Sequence, residues 1–108
     1  MHDVYQSCIE ACNRCTQECA HCAHACLMES NPRALVRCIE LDQNCADLCL
    51  LAIKWMSQGS EFAKQLCALC AELCQTCGVE CKKHKHEHCQ RCAEACFRCA
   101  EECRKMAL

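Results

Sequence analysis

The chain has 108 residues, a mass of 12.2 kDa, a net charge of −2 and a pI near 6.3, enough for one small core. No basic stripe with interleaved aromatics is present, which argues against a nucleic-acid partner, and no apolar run reaches the length of a membrane span. Nineteen residues are cysteine, while Tyr5, Trp55, Phe62 and Phe97 are the whole Tyr, Trp and Phe complement, so sulfur must stand in for much of the usual core volume.

Four helices are predicted. Helix 1, near residues 2–28, carries Cys8, Cys12, Cys15, Cys19, Cys22 and Cys26 at spacings of four and three, which gathers them within an arc of roughly 80° on one helical face. The segment from Glu29 to Arg33 breaks it, with Ser30 or Asn31 as cap and Pro32 opening the next element. Helix 2, near 33–56, has the inner stripe Cys38, Asp42, Cys45, Cys49, Ala52 and Met56, so a carboxylate stands where the other helices place a thiol. Its second apolar stripe of Val36, Ile39, Ala46, Leu50 and Ile53 is expected to face another copy of the chain. Gly59 stops this helix and Ser60 is expected to cap helix 3, near 60–83, with Cys67, Cys70, Cys74, Cys77 and Cys81. The charged joint from Lys82 to His88 leads to helix 4, near 87–106, with Cys89, Cys92, Cys96, Cys99 and Cys103. Short joints between helices of similar length predict an all-α, antiparallel up-down-up-down four-helix bundle with a cysteine-lined core, formed by residues 1–108 as a single domain.

The odd number of cysteines fits poorly with complete disulfide pairing. Residues four apart on a helix have Cβ atoms about 5–6 Å apart, too far for a disulfide, which needs about 3.5–4.5 Å. Two metal–sulfur bonds span the gap. The opening MHDVYQSC has no basic region followed by an apolar run, so the expected compartment is the cytosol, where thiols stay reduced.

Thiolates select Cu(I), zinc or iron–sulfur clusters. A continuous stripe does not gather four ligands at one point in the manner of a cluster loop. Paired Cys-x2-Cys units such as Cys67/Cys70 and Cys89/Cys92 leave a structural or buffering zinc bundle open as the alternative. Dianionic zinc tetrathiolate centres stacked in a dry core would repel one another. Cu(I) avoids that charge problem, because bridging thiolates at on the order of one ion per sulfur leave the core nearly neutral. The natural chelate is Cys-x3-Cys, and the chain has it at Cys8/Cys12, Cys15/Cys19, Cys22/Cys26, Cys45/Cys49, Cys70/Cys74, Cys77/Cys81, Cys92/Cys96 and Cys99/Cys103.

Asp42 is a candidate ligand, since a lone buried carboxylate is costly; the plain alternative is a place at the rim beside water or a lysine. His84 and His88 extend the helix 3 stripe, with His86 between them, and would crowd one mouth of the tube near Cys26 and Cys38 as the place where metal is admitted; a solvated basic loop is the bland alternative. His21 and His24 point away from the stripe and read as surface residues. Met1, Met56 and Met106 gather at the opposite end, as core filling or thioether ligands. Catalysis has no foothold: Gly59 and Gly78 are the only glycines, and no phosphate loop or serine elbow is present.

With Cys-x3-Cys pairs on four helices, the joint His84-Lys85-His86-Glu87-His88-Cys89 and the cysteine run from Cys89 to Cys103, the whole chain resembles the bacterial copper storage protein family, its cytosolic branch in particular. The resemblance implies a homotetramer of four-helix bundles, each holding many Cu(I) ions on its cysteines, with histidine and carboxylate ligands completing sites near one end. Carried onto this chain, that implies all nineteen cysteines together with Asp42, His84 and His88.

Overall fold

The three- and four-residue spacing of cysteine is realised as helix wherever it occurs. The computed structural model describes residues 2–107, with side chains from Val4 onward, so Met1 lies outside the described residues. Four α-helices follow in order, α1 (His2–Leu27), α2 (Val36–Gln58), α3 (Ala63–Lys82) and α4 (Glu87–Ala107), with one turn of 3-10 helix at Pro32–Leu35.

The joints differ in detail from expectation. Pro32 fixes its own φ, but the following residues tighten into the 3-10 turn, so α2 begins at Val36 rather than near residue 33. Gly59 ends α2 in the left-handed region, at φ 66° and ψ 36°. The N–H of Ser60 reaches the Trp55 carbonyl at 2.9 Å and that of Gly59 the Met56 carbonyl at 3.1 Å, a Schellman pairing that satisfies the helix end. Ser60 does not cap α3 as expected: its Oγ accepts the Phe62 N–H at 3.1 Å within a turn, and α3 starts only at Ala63, with Phe62 at its N-cap and no side-chain cap.

Around the bundle, α1 lies between α2 and α4, and α3 packs on those same two helices from the opposite side. Facing sulfurs fix the antiparallel sense. Cys8 meets Cys103 at 3.5 Å and Cys26 meets Cys89 at 3.9 Å between α1 and α4. Cys38 meets Cys81 at 3.4 Å and Cys49 meets Cys70 at 3.7 Å between α2 and α3. The Cα envelope is a rod of 46 × 18 × 18 Å. Helices can close this tightly because the inner faces carry thiols and alanines, including Ala52 and Ala100 at 0 % exposure. At one point an aromatic takes the space a Cβ would need: a Cβ on Gly78 of α3 would stand 2.7 Å from the Phe97 ring of α4.

The second stripe of α2 is divided. Ile39 and Ala46 are buried within the bundle, while Val36 and Leu50 stay exposed. The reason is that α2 touches both α1 and α3, so positions flanking its inner stripe are covered by those neighbours. No helix among the described residues is long and apolar enough to cross a membrane.

Candidate metal centre

Every cysteine is buried, with none more than 1 % exposed. All nineteen thiols are free, and they form one connected lattice along the rod axis. From the end holding the helix 3 start, Cys8, Cys67 and Cys103 give way to Cys12, Cys49, Cys70 and Cys99, then to Cys15, Cys45, Cys74 and Cys96, then to Cys19, Cys77 and Cys92 with Asp42, and finally to Cys22, Cys26, Cys38, Cys81 and Cys89. Within this lattice Cys15 lies 3.6 Å from Cys45 and 3.8 Å from Cys96, and Cys45 lies 3.4 Å from Cys74. Cys19 stands 3.6 Å from both Cys92 and Cys96. Six of the eight Cys-x3-Cys pairs hold their own sulfurs 3.8–4.0 Å apart. Cys8 and Cys45 instead turn to sulfurs on facing helices.

These distances decide what the lattice can grip. A metal–thiolate bond of about 2.3 Å, the zinc value, sets neighbouring sulfurs about 3.8 Å apart around a tetrahedral ion and about 4.0 Å apart around a trigonal one. The observed spacings of 3.4–4.0 Å lie at or slightly below those values, so an ion fits between sulfurs with a small outward side-chain movement. Sets such as Cys12/Cys49/Cys70/Cys99 and Cys15/Cys19/Cys45/Cys96 each place four sulfurs within 4.8 Å of one another.

Asp42 sits inside the lattice at 0 % exposure rather than at a rim. Its Oδ1 accepts S–H hydrogen bonds from Cys77 at 3.2 Å, Cys92 at 3.2 Å and Cys81 at 3.3 Å, and its Oδ2 faces Cys38 at 3.8 Å. It thereby joins α2, α3 and α4 at one level. Burial, and secondarily the sulfurs of Cys92 and Cys38, push its carboxyl up to about 8. Burial likewise leads the rise of the Cys26 thiol to about 11. Desolvation opposes ionisation at the thiols of this sealed channel as well, and a cation arriving at a protonated sulfur must displace its proton.

At the mouth, His88 aims Nδ1 at sulfur: 3.3 Å to Cys22, 3.6 Å to Cys89 and 4.0 Å to Cys26. Its Nε2 lies 2.7 Å from Glu29 Oε2. Because a carboxylate only accepts, Nε2 carries a proton, which in the neutral imidazole leaves Nδ1 to present its lone pair inward. The structure brings His88 to the thiols but not His84, whose Nε2 donates to Glu80 Oε2 at 2.9 Å. Burial raises the Glu80 carboxyl, but hydrogen bonds from His84 and Lys83 outweigh it and hold Glu80 below the ordinary carboxylate range. Exposed His86 stacks on His88 with centroids 5.3 Å apart, and exposed His21 stands edge-on to His88 at 6.4 Å. His24 is exposed, as expected. Met56 is buried and Met106 packs against the core at the far end.

Glu29 and Glu80 were not expected to take part. Glu80 and His84 are four apart, a spacing that foreshadows their pairing. Glu29 reaches His88 across a joint, and no local pattern announces that contact.

The copper storage protein family pattern matches residues 1–108. The chain belongs to the copper storage protein family. Among its relatives, a Bacillus subtilis (strain 168) protein known as the uncharacterized cysteine-rich protein YhjQ is 54 % identical over 88 residues, 82 % of either chain. The Cu(I)-bound copper storage protein BsCsp3 is 54 % identical and superposes with a TM-score of 0.94, over 97 % of this chain and 99 % of that one. A cytosolic copper storage protein from Streptomyces lividans, loaded with five coppers, is 38 % identical with a TM-score of 0.94, over 98 % of this chain and 93 % of that one. This family member thus shares its backbone with relatives that hold copper.

Proposed function

We propose that the chain is a cytosolic, non-enzymatic store that sequesters many Cu(I) ions inside its bundle. The observation that carries this reading is the lattice of nineteen buried thiols, in which every cysteine but Cys67 and Cys77 has a sulfur 3.4–4.0 Å away on a facing helix. The nineteen cysteines are the ligands, and Asp42 and His88 complete sites at and below the mouth. His84, held by Glu80, serves at the outer rim.

Charge explains why a monovalent ion suits this interior. Each Cu(I) that enters exchanges for one thiol proton, so filling leaves the channel neutral, and bridging sulfurs allow on the order of one ion per cysteine. A zinc ion held by four thiolates leaves two negative charges in the same dry space, and neighbouring centres repel. The thiol lattice also keeps copper from water and from other thiols. Release then requires a competing ligand.

Residues 1–108 act as one domain, and the store works as a homotetramer, as the family resemblance implies. Support for association comes from an apolar groove between α2 and α3 lined by Leu48, Leu51, Leu69 and Leu73. Anaerobic titration of the reduced protein with Cu(I), against a chromophoric competing chelator, tests the reading. Tight uptake should continue well past about ten equivalents per chain, given on the order of one ion per cysteine; saturation after a few would overturn it.

A further inference from the structure

The mouth differs in kind from the sulfur lattice behind it. Cys22, Cys26, Cys89 and His88 Nδ1 form a four-cornered site in which all six edges are defined. The sulfur–sulfur edges are 3.8 Å for Cys22–Cys26, 3.8 Å for Cys22–Cys89 and 3.9 Å for Cys26–Cys89. The nitrogen–sulfur edges are 3.3, 3.6 and 4.0 Å. A tetrahedral zinc ion with bonds of about 2.3 Å to sulfur and about 2.0–2.1 Å to nitrogen has edges of about 3.8 Å and about 3.6 Å. The corners are already where such an ion needs them.

Three further features favour a dication here over the interior. Three thiolates and a neutral imidazole around Zn2+ leave one negative charge instead of two. The position is the one nearest to water: its sulfurs are buried like the deeper ones, but the His88 side chain is 13 % exposed and Glu29 30 %, so a hydrated dication can shed its shell there. Glu29 fixes the His88 tautomer through Nε2 at 2.7 Å, the carboxylate–histidine arrangement that orients a zinc-binding imidazole. Cys38 also lies within 4.8 Å of the three mouth sulfurs, but its own sulfur is 3.4 Å from Cys81 and is engaged at the next level.

We propose that, in the copper-free chain, Cys22, Cys26, Cys89 and His88 form a site for one borderline divalent ion of the Zn2+ class, with Glu29 as the positioning residue that holds His88, an ion that Cu(I) displaces when it fills the mouth. The proposal goes beyond copper storage and does not depend on it. Binding displaces the three thiol protons and leaves the proton on Nε2 in place.

The experiment uses the full reduced chain under nitrogen, with Co2+ as the absorbing probe and Zn2+ added to protein carrying 15N-labelled histidine. The first equivalent of Co2+ should give intense tetrahedral ligand-field bands and a thiolate charge-transfer band. The first equivalent of Zn2+ should shift the His88 Nδ1 resonance while Nε2 stays protonated. His88→Ala and Cys89→Ser should each weaken and alter that first event. Glu29→Gln should weaken it about 10- to 100-fold and disturb the fixed tautomer. A first equivalent that leaves His88 unperturbed, or that has the same spectrum and affinity in His88→Ala and Cys89→Ser, would place the ion in an interior all-sulfur set and overturn the proposal. Weak octahedral bands alone would mean surface binding and overturn it equally. Cu(I) capacity measured on the same sample keeps this result separate from the fate of the copper store.

Discussion

Replacing Asp42 with asparagine should remove a specific pH dependence from the stability of the metal-free protein. Asparagine keeps the shape and an oxygen that accepts from the Cys77, Cys81 and Cys92 thiols, which lie 3.2–3.3 Å from Oδ1. It removes only the ionisation. In the folded chain burial lifts the Asp42 carboxyl from 3.8 to about 8. Below its unfolded value the carboxyl is protonated in both states and its full contribution to stability is present. As pH rises from there, the unfolded chain releases the proton and the folded chain keeps it, so stability is lost until the folded value is passed. The loss is about 1.4 kcal/mol per pH unit, on the order of 5 kcal/mol across the window. Chemical denaturation of reduced apoprotein, followed by circular dichroism from about pH 4 to about pH 8.5 to bracket that window, measures this for both proteins. Groups remote from Asp42 titrate alike in the two, so the difference reports on Asp42 and the thiols coupled to it. The Asp42→Asn variant should gain steadily on the natural chain as pH rises, and parallel curves would refute the assignment of a buried, protonated carboxyl.

Gly78→Ala sets a helix-propensity gain of about 1 kcal/mol against overpacking of about 1–3 kcal/mol, because the new Cβ would meet the Phe97 ring at 2.7 Å. Thermal melting should show a net loss that Phe97→Leu relieves, and an unrelieved loss would point elsewhere. Cys74→Ala removes a sulfur that lies 3.4 Å from Cys45 and 3.8 Å from Cys49 and Cys70. Competition titration should then find a capacity lower by about one or two Cu(I), with helicity retained. Charging the α2–α3 groove with Leu51→Glu and Leu69→Glu should shift light-scattering mass from tetramer towards monomer; an unchanged mass would remove this groove from the interface.

The fold was legible because one residue type marks one face. Cysteine at three- and four-residue intervals announced four helices and also which side of each is inner, and Asp42 was legible as an intruder in that same stripe. What escaped were contacts made outside the stripe. The buried carboxylates Glu18 and Glu102 seal the α1–α4 seam: Arg91 meets Glu18 at 3.1 Å, and the Ser7 hydroxyl meets Glu102 at 2.9 Å. The Ser7 hydrogen bond leads the effects that hold the Glu102 carboxyl below its ordinary value. Such partners are 73 and 95 residues apart in sequence, beyond any helical period. Glu29 escaped for the same reason, since it lies in a joint and meets His88 only after the chain has turned three times. The second stripe of α2 was legible only in part, because an aliphatic pattern cannot say whether its cover comes from the same chain or from another. Ile39 and Ala46 are covered from within.

The most direct measurement is anomalous diffraction at the copper edge from crystals of the reduced protein loaded with Cu(I). The account predicts a column of many copper positions along the 46 Å rod, each bonded to sulfurs from at least two helices, with Asp42 and His88 bordering the levels nearest the mouth. Copper confined to the surface, or a few isolated ions with most thiols unligated at saturation, would contradict it.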